Sequence, residues 1–217
     1  MEKRKLFVGI LVFGSLWGFS ECIIGSLLRN AGLPAGAIMT GVFAFGLMVT
    51  SRMFYKTRGM QLGMGLVAGA LRFINPFGSC HICSAIAIVA EGLMFEIIWY
   101  GMSQDLKELS TLTHKSSMGI VTSYCIYVMG YVVTQVLTPV FSSAGFYIKN
   151  LMVFIPQILA SGLLAAVIGG IMAPIIFLLN EFDITLVRNR LYYPATIGIS
   201  AFCWLVVIAN TILMQGA

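Results

Sequence analysis

The chain has 217 residues, 59% of them hydrophobic and only 10% charged, with a mean hydropathy of +0.95. A soluble domain carries about 25% charged residues, so one soluble core cannot hide this much apolar surface and lipid must be the solvent. The formal net charge of +5 does not point to a nucleic-acid partner, because the basic residues gather in short loops, where they set membrane orientation.

The N-terminal run MEKRKLFVGILVFGSLWGFSEC has the basic start and apolar stretch of a signal peptide. It lacks a small-x-small cleavage site, and Glu21 directly before Cys22 argues against lipoprotein processing. It reads as a retained first helix. Seven apolar segments follow one another: Leu6–Leu28, Pro34–Thr50, Met60–Ile74, Ile82–Met102, Met118–Leu137, Leu151–Leu179 and Pro194–Met214. A span needs about 20 residues. The third segment is short, which leaves six spans as the alternative count. The sixth is long enough to tilt, to kink at Pro156 or Pro174, or to extend past the bilayer. The expected fold is an all-α polytopic bundle forming a single domain over residues 1–217.

Charge decides between the counts. With the N-terminus inside, seven spans put Lys3, Arg4, Lys5, Arg52, Lys56, Arg58, Lys107, Lys115, Arg188 and Arg190 in the cytoplasm. Only Arg29, Arg72 and Lys149 fall outside, a split of ten to three. A re-entrant third segment would swap every later loop and weaken the split to eight against five. The positive-inside rule therefore favours seven spans, N-terminus in and C-terminus out.

Helix one carries Gly14 and Gly18, with Gly25 seven residues on, and helix three carries Gly65 and Gly69. Small residues four apart let helix backbones approach closely. Such stripes serve either internal packing or a docking face for a partner. The loop Gln104–Ser117 is the longest polar stretch and holds His114 among solvated neighbours. A second loop, Asn180–Tyr193, has an acidic half before a basic half. Trp99, Tyr100, Tyr192 and Tyr193 fall near predicted interfaces, as an aromatic belt expects. Of five cysteines, Cys125 and Cys203 sit mid-helix, where cysteine behaves as a small hydrophobe, and Cys22 follows Glu21 in helix one. Only Cys80 and Cys83 have a spacing that suggests chemistry.

Three carboxylates fall within predicted spans: Glu21, about 10 Å from the outer end of helix one at 1.5 Å per residue, Glu91 near the middle of helix four, and Glu96 nearer its inner end. An ionisable group at membrane depth is costly and usually faces a cavity or a partner. Glu96 is the weakest of the three, being placed to snorkel or to pair with a loop cation. Glu91 has nothing nearby in sequence to neutralise it. Structural hydrogen bonding to another helix is the plainer role for Glu91 and Glu21.

The box Cys80-His81-Ile82-Cys83 follows Asn75-Pro76-Phe77-Gly78. Pro76 and Gly78 end helix three, and Ser79 is placed to cap helix four. Cys80, Ser84, Ala87 and Glu91 then share one face at about 100° per residue. That stripe leads from the outer surface to Glu91 about 16 Å below, while Glu96 faces elsewhere. Three readings of the box stay open. A Cys-x-x-Cys at a helix N-terminus is a redox geometry. Two thiolates and the His81 imidazole suit a soft metal, as an incomplete site. The residues otherwise line a pocket or form a structural disulfide. Arg29 and Arg72 are placed either to complete a pocket for an anionic group or to snorkel.

Absences narrow the field. There is no G-x-x-x-x-G-K-[ST] loop for ATP, no H-E-x-x-H or other protease motif, and no run of gating arginines. His81 and His114 fall on opposite sides and cannot pair on a haem.

A small basic-looped bundle with a small-xxx-small first helix and polar residues gathered at the outer face resembles the substrate-binding S component of an energy-coupling-factor transporter. Trp17-Gly18-Phe19-Ser20-Glu21 and Ala90-Glu91-Gly92-Leu93-Met94-Phe95-Glu96 are similar to runs in membrane proteins of that group. Six helices are usual there, against seven here. The resemblance implies capture of a vitamin, metal or other micronutrient from outside a prokaryotic plasma membrane, with energy supplied by a transmembrane coupling subunit and ATPases. It implies no required cofactor. It places the docking face on Gly14 and Gly18, and the ligand pocket on Glu21, Arg72, Asn75, Cys80, His81 and Glu91. Two rivals stand beside it: a membrane thiol-disulfide oxidoreductase passing electrons from Cys80 and Cys83 to quinone, and a non-catalytic anchoring subunit of a membrane complex.

Overall fold

The computed structural model describes residues 3–75, 81–101, 111–141, 148–179 and 192–215, all in helices or their short connections. Seven helical rods result: α1 Lys3–Asn30, α2 Ala35–Phe54, α3 Met60–Ile74, α4 His81–Gly101, α5 Leu112–Phe141, α6 Ile148–Leu179 and α7 Tyr192–Gln215. All but α3 are long and apolar enough to cross a membrane. The protein is an all-α polytopic bundle, and the seven segments read from hydropathy each correspond to one rod. The 15 residues of α3 span only about 22 Å.

α3 is nonetheless central, wedged between α1 and α4. Its Met60, Met64 and Ala68 follow one another at four-residue spacing, and all are fully buried in the main core with Trp17, Phe45 and Phe95. Small residues make the close approaches possible. A Cβ on Gly14 would lie 2.7 Å from Val67 Cβ and one on Gly18 would lie 3.0 Å from Ala68 Cα. The stripe read as a docking face on α1 is therefore covered from within by α3. On the other flank, a Cβ on Gly69 would meet the Ala85 carbonyl at 2.9 Å, and one on Gly92 the Gln61 carbonyl at 2.6 Å. These pairings run α1 parallel to α3 and α3 antiparallel to α4, so consecutive rods alternate in direction. We call the end bearing the N-terminus proximal and the other end distal.

The remaining rods wrap this centre. α5 and α6 pack closely, with Gly119 and Ser123 against Gly169. α6 continues as helix through both Pro156 and Pro174. α7 lies on α1, held by Trp204 Nε1 donating to Ser15 Oγ at 3.0 Å and by the Tyr192 hydroxyl donating to the Lys5 carbonyl at 3.4 Å. Outward faces are apolar: Leu163, Val167, Ile171 and Leu178 on α6, and Ile197, Leu205 and Ile212 on α7, are all exposed. In water such a surface would be untenable, whereas in lipid it is the expected boundary.

Of two aromatic residues expected near a membrane interface, Trp99 is core and Tyr100 is half-buried. Trp99 is buried, stacks on Phe95 at 5.1 Å and donates its Nε1–H to Thr122 Oγ1 at 3.2 Å. Tyr100 lies under the Arg52 guanidinium, 3.7 Å from ring centroid to Cζ. Glu96 has a role that its sequence neighbours do not announce. Its carboxylate meets the start of α3, where the Gly59 and Leu62 amides donate to its two oxygens, the latter at 3.2 Å. Gly59 sits at φ +85°, a conformation open to glycine. Having no side chain, it cannot cap α3 itself, and Glu96 supplies from a neighbouring helix what a capping box supplies locally.

Candidate functional site

The distal half of the bundle encloses a cavity of about 350 Å³. Each wall follows from helical spacing. On α1, Glu21, Gly25 and Arg29 recur at four-residue intervals and face it together. On α4 the wall is Ser84, Ala87, Ile88 and Glu91, which is the stripe expected from 100° per residue. α2 contributes its small first turn, Ala35 and Gly36, then Met39 and Thr40. Arg72 comes from the last turn of α3, and Gly130, Tyr131, Thr134 and Gln135 from α5.

Two of these walls contain π-helical turns, Ser20–Ile24 in α1 and Met39–Ala44 in α2. Such turns occur mostly as single bulges within α-helices, frequently at functional sites. One places Glu21 and the other Thr40. Around them the backbone oxygens are kept busy: Ser20 Oγ donates to the Trp17 carbonyl at 2.7 Å and Ser26 Oγ to the Ile23 carbonyl at 2.7 Å.

The charges are arranged unequally. Arg72, only 3% exposed, and then Arg29 attract Glu21. Arg29 is more exposed at the distal mouth and donates Nε–H to the Gly25 carbonyl at 3.3 Å. Among the described residues Glu91 has no such attractive neighbour. The charged group that acts on it is Glu21, a like charge. Its Oε2 is buried without a hydrogen-bond partner. Opposite, α5 carries Gly130, where a Cβ would lie 3.0 Å from Glu91 Cγ and 3.1 Å from Cδ. Only a glycine leaves the carboxyl room there.

Of the residues expected in a ligand pocket, Glu21, Arg72 and Glu91 line this cavity, and Arg29 joins them. Asn75 does not line it: it is fully buried at the end of α3, near Cys22 and Arg72. His81 also stands apart, its ring edge-on to Phe73 at 5.9 Å. Cys80 lies outside the described residues. Cys83 is buried and disulfide-bonded, which removes its thiolate from the metal set drawn on Cys80, His81 and Cys83. Among the described residues no three His, Cys, Asp or Glu side chains converge as a metal site. Cys22, Cys125 and Cys203 are free thiols.

The α5 wall was not legible in advance. Tyr131, Thr134 and Gln135 sit in a segment whose hydropathy reads as a plain span, and the four-residue spacings of Tyr127, Tyr131 and Gln135 and of Gly130 and Thr134 are the one signal that would have drawn attention. Thr40 was hidden similarly by the π turn. Compared with known protein families, curated proteins and solved structures, this chain matches none.

Proposed function

We propose that the protein is the substrate-binding membrane subunit of an uptake system, of the S-component kind, which takes a small micronutrient into the distal cavity. The distal end faces outward in this reading, in line with the ten-to-three split of basic residues, and partner subunits supply the energy. The observation that carries the proposal is the cavity itself. Its volume of about 350 Å³ lies within the usual range for ligand sites, about 300–1,000 Å³. Its walls hold two carboxylates and two guanidinium groups inside an otherwise apolar bundle. Charged groups at that depth are expensive and mark substrate paths.

The test is gentle purification followed by native mass spectrometry. A retained small molecule, and co-purification of a transmembrane coupling subunit with ATPases, are the expected results. Glu91→Gln should weaken retention of that molecule. Protein that purifies intact with neither molecule nor subunit, and Glu91→Gln protein that retains the molecule as well as wild type, count against the reading.

A second reading has one observation in its favour. The disulfide at Cys83 fits a thiol-disulfide oxidoreductase, in which a dithiol gives two electrons and two protons to a quinone. Alkylation trapping in cells separates the two readings: a Cys83 that never changes state removes the enzyme.

A further inference from the structure

This inference rests on the cavity being the ligand site proposed above, and it concerns what the ligand must carry. Glu91 is a member of the lining whose carboxyl the protein leaves incomplete. Its Oε2 is buried with no hydrogen-bond partner, a condition costing several kcal/mol for a charged group in an apolar setting. The guanidinium groups in the cavity act on Glu21, whereas among the described residues the charge that acts on Glu91 is the like charge of Glu21. Arg29 stands at the exposed mouth, where solvent screens it. Glu21, Glu91 and Arg72 remain as the enclosed set, two acids to one base. Glycine at position 130 leaves room for the Glu91 carboxyl between α4 and α5, and Ser84 and Ala87 line the cavity from the same helix.

We propose that the cavity selects a small organic base, whose protonated nitrogen donates to Glu91 Oε2. The cation supplies the donor that the carboxylate lacks and balances the second enclosed acid. If Glu91 holds a proton in the empty site, a neutral amine accepts that proton on entry, and the same carboxylate–ammonium pair results.

The experiment uses matched probes on the purified full chain in lipid nanodiscs, with thermal unfolding as the readout. Tryptamine and benzylamine are the bases, tryptophol and benzyl alcohol the neutral isosteres, and indole-3-acetate and benzoate the acids. At millimolar concentration the bases should raise the unfolding temperature and the others should not. Glu91→Gln should weaken base binding at least about tenfold, the factor that corresponds to about 1.4 kcal/mol, a modest part of a charge-assisted bond. Glu91→Asp keeps the charge and should keep the preference for bases, and where both variants lower the baseline unfolding temperature, Ser15→Ala, which removes the Trp204 bond outside the cavity, should lower it as well while retaining the preference. Equal shifts from the neutral isosteres, base shifts that survive Glu91→Gln, or no shift from any base would overturn the proposal. Failure of a coupling subunit to co-purify removes the uptake reading while leaving base selectivity in place. Conversely, loss of base selectivity leaves uptake of a neutral or acidic solute standing.

Discussion

Replacing Glu96 with alanine isolates the contribution of one carboxylate to the placement of α3. The first amides of any helix lack intrahelical acceptors. At the start of α3 two of them, on Gly59 and Leu62, donate to Glu96. Losing an N-cap costs about 0.5–2 kcal/mol, and losing a negative charge beside the helix N-terminus costs about 0.3–1 kcal/mol more. The site is partly buried, so we expect about 2–3 kcal/mol in local opening of the first turn, a factor of roughly 30 to 150 in exchange rate. Hydrogen exchange of peptides covering residues 59–64, measured in nanodiscs, reads this directly. Glu96→Gln keeps one acceptor oxygen and should show an intermediate effect. Unchanged exchange in Glu96→Ala, or equal effects of alanine and glutamine, would refute the capping argument. Arg72 stands at the other end of the same short rod, so the alanine variant should also loosen the cavity wall that Arg72 forms.

Three further outcomes follow. Gly92→Ala should destabilise the bundle by about 1–3 kcal/mol through overpacking, because its Cβ would lie 2.6 Å from the Gln61 carbonyl; Gly198→Ala, with nothing within 4 Å, should gain up to about 1 kcal/mol of helix propensity, and denaturation midpoints in mixed micelles compare the two. In denatured but unreduced protein, a maleimide should label Cys22, Cys125 and Cys203 and spare Cys83 until reductant is added; labelling of Cys83 without reductant would contradict the disulfide. Reporter domains fused to either end should report the N-terminus inside and the C-terminus outside, and a shared side would remove one span from the count.

Much of the fold could be read from hydropathy alone, because lipid imposes the same requirement on every span: a run of apolar residues with all backbone bonds satisfied internally. The site was legible where it rests on helical periodicity. Ser84, Ala87 and Glu91 fall on one face in sequence and line one cavity in space. It was illegible where the partner comes from a distant segment. Nothing near Glu96 in sequence identifies Gly59 and Leu62 as its donors. Gly14 and Gly18 declare that something approaches closely, but not whether it is α3 or a second protein. Trp99 looks like an interface residue until Thr122 is seen to take its N–H. His81 and Cys83 drew attention through spacing, yet α4 turns the stripe of Ser84 and Glu91, and not these two, toward the cavity.

The two π turns carry a consequence for how this protein can change over time. A π turn bonds i to i+5 in place of i+4, so each takes up roughly one more residue than the surrounding helix needs. The segment beyond it is rotated against the segment before it, and the two halves of one rod answer to different constraints. The first half of α1 stays fitted to α3 through Gly14 and Gly18, while the half from Glu21 onward presents Gly25 and Arg29 to the cavity. A one-residue deletion within Ser20–Ile24 would restore a regular helix and remove the bulge that presents Glu21 to the cavity, leaving Gly14 and Gly18 fitted to α3. Ligand preference can thus be rewritten by insertion or deletion at two hinge-like registers, independently of the substitutions that keep the bundle packed.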